Sequence, residues 1–289
     1  MIGKVQNIAT LLNLVLKLPK NSLNFRRYLE KKAHFVLARN REVKKMRVVN
    51  RWLPIFGLIL ASNEVDSAEL ATADPTLIAE GTALYQENCA ICHGAEGDGN
   101  GPLATGFTPR PRNFLSGSFK FRSTGVGEAP AREDLLKTIK FGIHGSYGQS
   151  MPAFDYLTER ELSALSEVIR MVAGIQEFGV AITPPARPAR ADIEKGKVLF
   201  QELQCAGCHG ETGNGQGDQA ATLTDENGHS IKPADFRTGQ FKGGNEPEDI
   251  WMRIYAGVNG TPMPAFGRNS SAADIWAVTE YVIQFGDKE

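Results

Sequence analysis

The sequence predicts an all-α chain in which two helical domains stand in tandem, each interrupted by long glycine-rich loops. Three observations lead there. Four segments recur in the same order at an offset of about 115 residues, which marks a duplication. Apolar residues fall at helical spacing, and strand-like alternation is scarce. The 30 glycines and 15 prolines among 289 residues call for extended irregular connections. A hydrophobic content of 42% is that of a globular protein, neither disordered nor polytopic in a membrane.

Charge separates the N-terminus from everything after it. Residues 1–51 carry thirteen Lys/Arg and two Glu, whereas residues 69–289 carry nineteen basic and twenty-nine acidic residues. Within "MRVVNRWLPIFGLILASNEVDSAEL", Arg47 and Arg51 precede a short apolar run, Trp52–Ala61, which small residues follow. Residues 1–68 therefore read as a basic extension and secretory signal peptide, cleaved near Ser67 or Ala68, with Met46 a natural start for the signal. The run is too short to span a bilayer unaided. The expected product is exported, periplasmic and soluble, with no stable transmembrane segment; anchoring by an uncleaved signal is the lesser alternative.

The first domain is expected over 69–180, a proline-rich linker over 181–191 containing "TPPARPAR", and the second domain over 192–289. "GTALYQENCAICHG" pairs with "GKVLFQELQCAGCHG", with one extra residue before the second cysteine pair. "RPRNFLSGSFKF" pairs with "KPADFRTGQFKG", and "LLKTIKFGIHGSYGQSMPAF" with "IWMRIYAGVNGTPMPAF". "RELSALSEVIRMVAG" pairs with "AADIWAVTEYVIQFG".

Each copy opens with a helix whose buried face is expected at Leu77, Leu84 and Tyr85, or at Ile193, Leu199 and Phe200. A middle helix should end at Gly142 and at Gly257. The last helix of the first copy opens with Thr158 and Glu161 at capping-box spacing, followed by Leu162, Leu165, Ile169 and Val172. Ser271 is the N-cap expected for the second copy, ahead of Ile275, Val278 and Val282.

All four cysteines lie in two Cys-x-x-Cys-His motifs, Cys89–Cys92–His93 and Cys205–Cys208–His209. That is the attachment pattern of c-type haem, two thioethers to the porphyrin and an adjacent imidazole on the iron. A disulfide framework or a shared four-cysteine zinc site leaves the histidine after each pair unexplained. The glycines of "GAEGDGNGP" and "GETGNGQGD" look superficially like phosphate loops, but no Lys-Ser/Thr follows, and backbone folded closely around a porphyrin accounts for them better.

On these residues each repeat resembles a class I cytochrome c domain, and the pair resembles dihaem c-type cytochromes of the bacterial periplasm, over about residues 75–289. The resemblance implies two covalently bound haem c groups. It implies a methionine as sixth iron ligand, in a loop before the last helix, where Met151 of "QSMPAF" and Met263 of "TPMPAF" stand, 58 and 54 residues after their histidines. Met171 and Met252 sit in helical patterns and read as core. His144 is a rival to Met151, although its counterpart is Asn259; His229, in "TDENGHS", reads as a surface residue. The family's loop proline, whose carbonyl takes a hydrogen bond from the iron-binding imidazole, corresponds to Pro111 and Pro233, with Pro102 competing in the first copy.

Two six-coordinate His/Met haems leave no open iron position. The resemblance thus implies an electron carrier between a donor oxidoreductase and a terminal acceptor, with no catalysis of its own and no nucleic-acid partner. The acidic mature chain would steer it toward redox proteins with basic docking patches. The alternatives are a dihaem peroxidase, a thiosulfate dehydrogenase-like enzyme, or a fixed haem subunit of a larger complex, for which the insertion "NFLSGSFKFRSTGVGEAPARED" could serve in docking if it is not an ordinary surface loop.

Overall fold

The computed structural model describes residues 74–148, 150–190 and 192–286; the expected signal peptide over 1–68 and the start at Met46 lie outside the described residues. Among the described residues eight α-helices and four short 3-10 turns follow one another, and strand pairing there is confined to two isolated bridges, Ile143 with Met151 and Thr224 with Ser230. The fold is all-α.

The first unit contains α1 (Pro75–Asn88), α2 (Ala90–His93), α3 (Arg132–Phe141) and α4 (Glu159–Val172). The second repeats them as α5 (Ile193–Glu202), α6 (Cys205–His209), α7 (Pro247–Ala256) and α8 (Ala272–Ile283). Local chemistry sets the ends. The Asp74 carboxylate accepts from the Thr76 amide, 2.9 Å, and Pro75 occupies the first turn, where its missing N–H costs nothing. Thr158 accepts from Glu161 N–H while the Glu161 carboxylate takes the Thr158 amide, 2.8 Å; Ser271 and Asp274 repeat this reciprocal box. Helices α3 and α7 stop at Gly142 (φ 68°) and Gly257 (φ 69°), left-handed positions that favour glycine.

The extra residue before the second cysteine pair is absorbed at Gln204, which turns left-handed (φ 59°) between α5 and α6. The first copy has no such turn and runs through Cys89 directly.

In each unit the first helix crosses the last, α1 on α4 and α5 on α8. Tyr85 and Phe200 are buried as expected, but the rest of the buried face is shifted. Ile78, Gly81, Thr82 and Tyr85 are buried in α1, and Gly196 with Phe200 in α5, while Leu77, Leu84, Ile193 and Leu199 are only half-buried. Size explains the shift: at the crossing the two backbones approach so closely that only glycine fits. A Cβ on Gly81 would overlap the Ala164 carbonyl, and one on Gly196 the Ala277 carbonyl. Met252 is core, and Met171 packs half-buried against the first core, as their helical positions suggest.

The linker is extended but tied down. Arg187 forms a bidentate pair with Glu280 of α8 (2.5 and 2.8 Å), and Trp276 Nε1–H donates to the Pro185 carbonyl, 3.0 Å. The 113–134 insertion is likewise not an ordinary surface loop. Phe119, Arg122 and Thr124 are buried in it, and Arg122 Nη2 donates to Ala256 O (3.0 Å) and Asn259 Oδ1 (3.2 Å) of the second unit. The partner it docks is the other half of its own chain. Lys137 and Asp249, 2.7 Å apart, close the same seam.

Candidate cofactor sites

Each cysteine motif forms a one-turn helix placed by the helix before it. Tyr85 of α1 is buried and donates its hydroxyl to the Gly94 carbonyl, 2.8 Å, fixing where α2 ends and therefore where His93 stands. Past each histidine the chain turns through positive-φ glycines, Gly94, Gly97 and Gly99 in the first copy and Gly210, Gly213 and Gly215 in the second. Tight backbone, rather than phosphate chemistry, is what they provide. No disulfide joins the four cysteines, one pair of which lies in each unit. Burial would push an unattached Cys89 thiol up to about 12 and Cys205 to about 11.

The imidazoles are held alike. His93 Nδ1–H donates to the Arg112 carbonyl at 2.9 Å, and His209 Nδ1–H to the Ala234 carbonyl at 3.3 Å. This corrects the assignment to Pro111 and Pro233 by one residue. The proline carbonyls instead approach the glycine loop, Pro111 at Gly99 and Pro233 at Gly215, where the Ala234 carbonyl also lies close. With Nδ1 committed as donor, Nε2 is the lone-pair nitrogen and is free to bind a metal. Burial lowers the pKa of both histidines and so favours the neutral, ligating form.

Two aromatic residues in the matched "RPRNF" and "KPADF" segments carry a role that the sequence reading did not assign. Phe114 stacks on His93 (centroids 4.6 Å, 15°) and Phe236 on His209 (4.3 Å, 21°). Their matched position, two residues after the carbonyl acceptor, was the available signal.

A cavity opens at each histidine. The first brings His93 together with Met151, Phe114, Phe119, Ile139 and Ile169. The second, the roomier of the two at about 400 Å³ against about 140 Å³, brings Cys205, Cys208 and His209 together with Met263. Cys89 and Cys92 do not line the first cavity; Cys89 is packed into the core of its unit, one turn before His93. His144 is exposed and lines neither cavity, and His229 is half-buried beside Asp225, 3.6 Å away. Pro102 is exposed, and the acceptor for His93 is Arg112.

The donor set fits haem c. Each unit offers a neutral imidazole with its orientation fixed and a thioether on the same cavity. Among the described lining residues there is no carboxylate, whereas Arg110, Arg112, Lys120 and Lys242 line the first cavity and Lys120, Lys232, Lys242 and Arg253 the second. Apolar walls with a cationic rim suit a macrocycle that bears carboxylates. Burial, with Arg112 nearby, lowers the Lys120 pKa to about 8, and burial lowers Arg253 to about 10, the mark of cations lacking full compensation in the protein itself. Pro109, Lys120, Phe121 and Lys242 line both cavities, so the two sites share a wall.

Comparison with known proteins finds a cytochrome match in each unit. Residues 193–285 match the family described as cytochrome c, and residues 76–167 the family described as cytochrome c oxidase, cbb3-type, subunit III. The cbb3-type cytochrome c oxidase subunit CcoP of Azospirillum brasilense is 29% identical over 219 residues, covering 72% of this chain and 62% of that protein. Subunit FixP of the corresponding oxidase of Azorhizobium caulinodans is 29% identical over 210 residues, covering 72% and 59%. The match thus spans less than two thirds of these relatives. A chain from the Kuenenia stuttgartiensis reducing HAO-like protein complex Kustc0457/Kustc0458 superposes with a TM-score of 0.67 at 37% identity, covering 71% of this chain and 95% of that one.

Proposed function

Because the chain belongs to the cytochrome c family, as a dihaem c-type cytochrome of two tandem domains, we propose that it passes single electrons between protein partners through two His/Met haems and catalyses no reaction of its own. The observation that carries this reading is the repeated meeting, on one cavity, of the histidine that closes a Cys-x-x-Cys-His motif and a loop methionine, His93 with Met151 and His209 with Met263.

When bound, each haem supplies a one-electron Fe(III)/Fe(II) couple, and the protein sets its potential. Cys89 and Cys92 would attach one haem through thioethers and Cys205 and Cys208 the other. His93 and His209 would bind the iron, oriented by the carbonyls of Arg112 and Ala234. Met151 and Met263 would supply a second ligand, a neutral thioether that favours the reduced state more than a second imidazole would. A second protein ligand on each iron is what argues against peroxidase or thiosulfate turnover.

The partners are proposed to be proteins of an oxidoreductase complex, since the relatives are named as subunits of cbb3-type oxidases and of a reducing HAO-like complex. A carrier diffusing between such complexes is the form the acidic balance of residues 69–289 favours. The signal-like stretch around Trp52–Ala61 supports work on the outer side of a cytoplasmic membrane, in the periplasm. No helix of the described residues is long and apolar enough to cross a membrane.

Absorption spectroscopy of the purified holoprotein tests the reading. Two haems per chain, both low-spin, with the weak far-red methionine–iron band in the oxidised form and no consumption of peroxide or thiosulfate, are expected. A high-spin haem with rapid peroxide turnover would overturn it.

A further inference from the structure

The segments that hold the two imidazoles are each anchored to the opposite unit. Ala234, the acceptor for His209, lies between two residues gripped by the first unit. On one side, Tyr147 donates its hydroxyl to the Pro233 carbonyl at 3.1 Å. On the other, Ser146 Oγ accepts the Asp235 amide at 3.1 Å and lies 2.9 Å from the Asp235 carbonyl. Ser146 and Tyr147 belong to the loop that leads into Met151, whose backbone is bridged to Ile143. The converse contact is made by Arg112, the acceptor for His93. Its guanidinium pairs with Glu226 of the second unit and, through Nε, donates to the Ser118 carbonyl at 2.7 Å.

We propose that these contacts cross-brace the two sites: Ser146 and Tyr147 are positioning residues for His209, and Glu226 is a positioning residue for His93. The inference rests on the reading of His93 and His209 as iron ligands. A hydrogen bond from the far ring nitrogen makes an imidazole more electron-donating, which stabilises Fe(III) and lowers the potential. The strength of that bond depends on where the acceptor carbonyl is held. Here each acceptor's segment is held in part by groups of the other domain, Ser146 and Tyr147 for Ala234 and Glu226 for Arg112, so each domain adjusts the other's couple. The wall of Pro109, Lys120, Phe121 and Lys242 common to both cavities makes such crossed contacts short enough to exist.

The test is a redox titration of the holoprotein and its variants, with the wave of the second haem identified as the one altered in Met263→Ala. Tyr147→Phe and Ser146→Ala are expected to raise the midpoint of the second haem and leave the first in place. Glu226→Gln is expected to raise the first and leave the second. The expected size is up to about a tenfold change in the one-electron equilibrium, 59 mV. Ser146→Thr, which keeps the hydroxyl, should restore the wild-type midpoint. Haem content, counted as the pyridine complex, separates the two levels of the argument. Fewer than two haems per chain in the wild type would break the dihaem reading. Two haems whose midpoints respond only to substitutions in their own domain, or to none of these three, would overturn the cross-brace while leaving that reading intact.

Discussion

Gly196 in α5 rests directly against the main-chain carbonyl of Ala277 in α8, and Gly81 repeats the contact with Ala164 between α1 and α4. A methyl group has no room at either point. Helix propensity predicts that Gly→Ala in a helix interior stabilises by about 1 kcal/mol. The crossing predicts the opposite, since overpacking against backbone costs about 1–3 kcal/mol. Gly81→Ala and Gly196→Ala should therefore each lower the thermal midpoint of the holoprotein by several degrees. A rise in midpoint would mean that the helices separate without cost.

These glycines also show what the sequence makes legible. The duplication, the capping boxes at Thr158 and Ser271, the stops at Gly142 and Gly257 and both Cys-x-x-Cys-His motifs are local patterns, each readable within one turn or loop. The face buried by α1 is not local: it depends on a carbonyl about eighty residues away, and hydrophobicity alone pointed to Leu77 and Leu84 instead of Gly81 and Thr82. The acceptors Arg112 and Ala234 were missed by one residue, because which carbonyl of an extended segment faces the ring depends on its rotation and not on residue type. The docking of the 113–134 insertion through Arg122 was out of reach for the same reason. An arginine in a loop does not announce that its acceptors are Ala256 and Asn259.

Met151 and Met263 line separate cavities, so their replacement should act on one haem at a time. Met151→Ala and Met263→Ala are each expected to abolish about half of the far-red methionine band and to lower one of two midpoints. The double variant should lose the band altogether. Retention of the whole band in Met151→Ala would point to another sixth ligand in the first domain.

Lys242 faces both cavities, whereas Lys232 lines only the second, where it lies 5.4 Å from the Tyr147 ring. A cation beside a haem disfavours the more positive oxidised state and raises the potential. Lys242→Gln should accordingly lower both midpoints, and Lys232→Gln only that of the second haem, by less because its ammonium is more exposed to solvent and salt. Spectroelectrochemistry of the two variants at low ionic strength reads the difference.

Arg122 joins the insertion to the end of α7 and its following turn. Removing the guanidinium leaves the Ala256 carbonyl and Asn259 without their donor, at a cost of about 2 kcal/mol for charge-assisted bonds in a buried seam. Arg122→Ala should loosen the two units from one another without unfolding either core. The expected signs are faster proteolysis within residues 181–191 and a larger radius of gyration in solution, with both haems retained and low-spin.

The α5–α8 crossing carries one ion pair whose pH dependence has a definite sign on both sides. Lys195 Nζ lies 2.5 Å from Asp274 Oδ1. The Asp274 side chain raises the Lys195 pKa above its ordinary 10.5, and Lys195, together with Ser271, lowers that of Asp274 below 3.8. A raised lysine contributes stability that is present below its unfolded value and is lost as pH climbs through the folded one. A depressed aspartate contributes stability that is present above its unfolded value and is lost as pH falls through the folded one. The pair therefore supports the second domain from about pH 4 to about pH 10 and vanishes outside that window. Lys195→Met should lower the thermal midpoint of the second domain at pH 7, the gap should narrow as pH falls below about 4, and at pH 7 it should shrink in high salt because the lysine is half exposed. An offset between wild type and variant that stayed unchanged as pH fell well below about 4 and in high salt would assign the effect to the lysine's aliphatic stem instead of its charge.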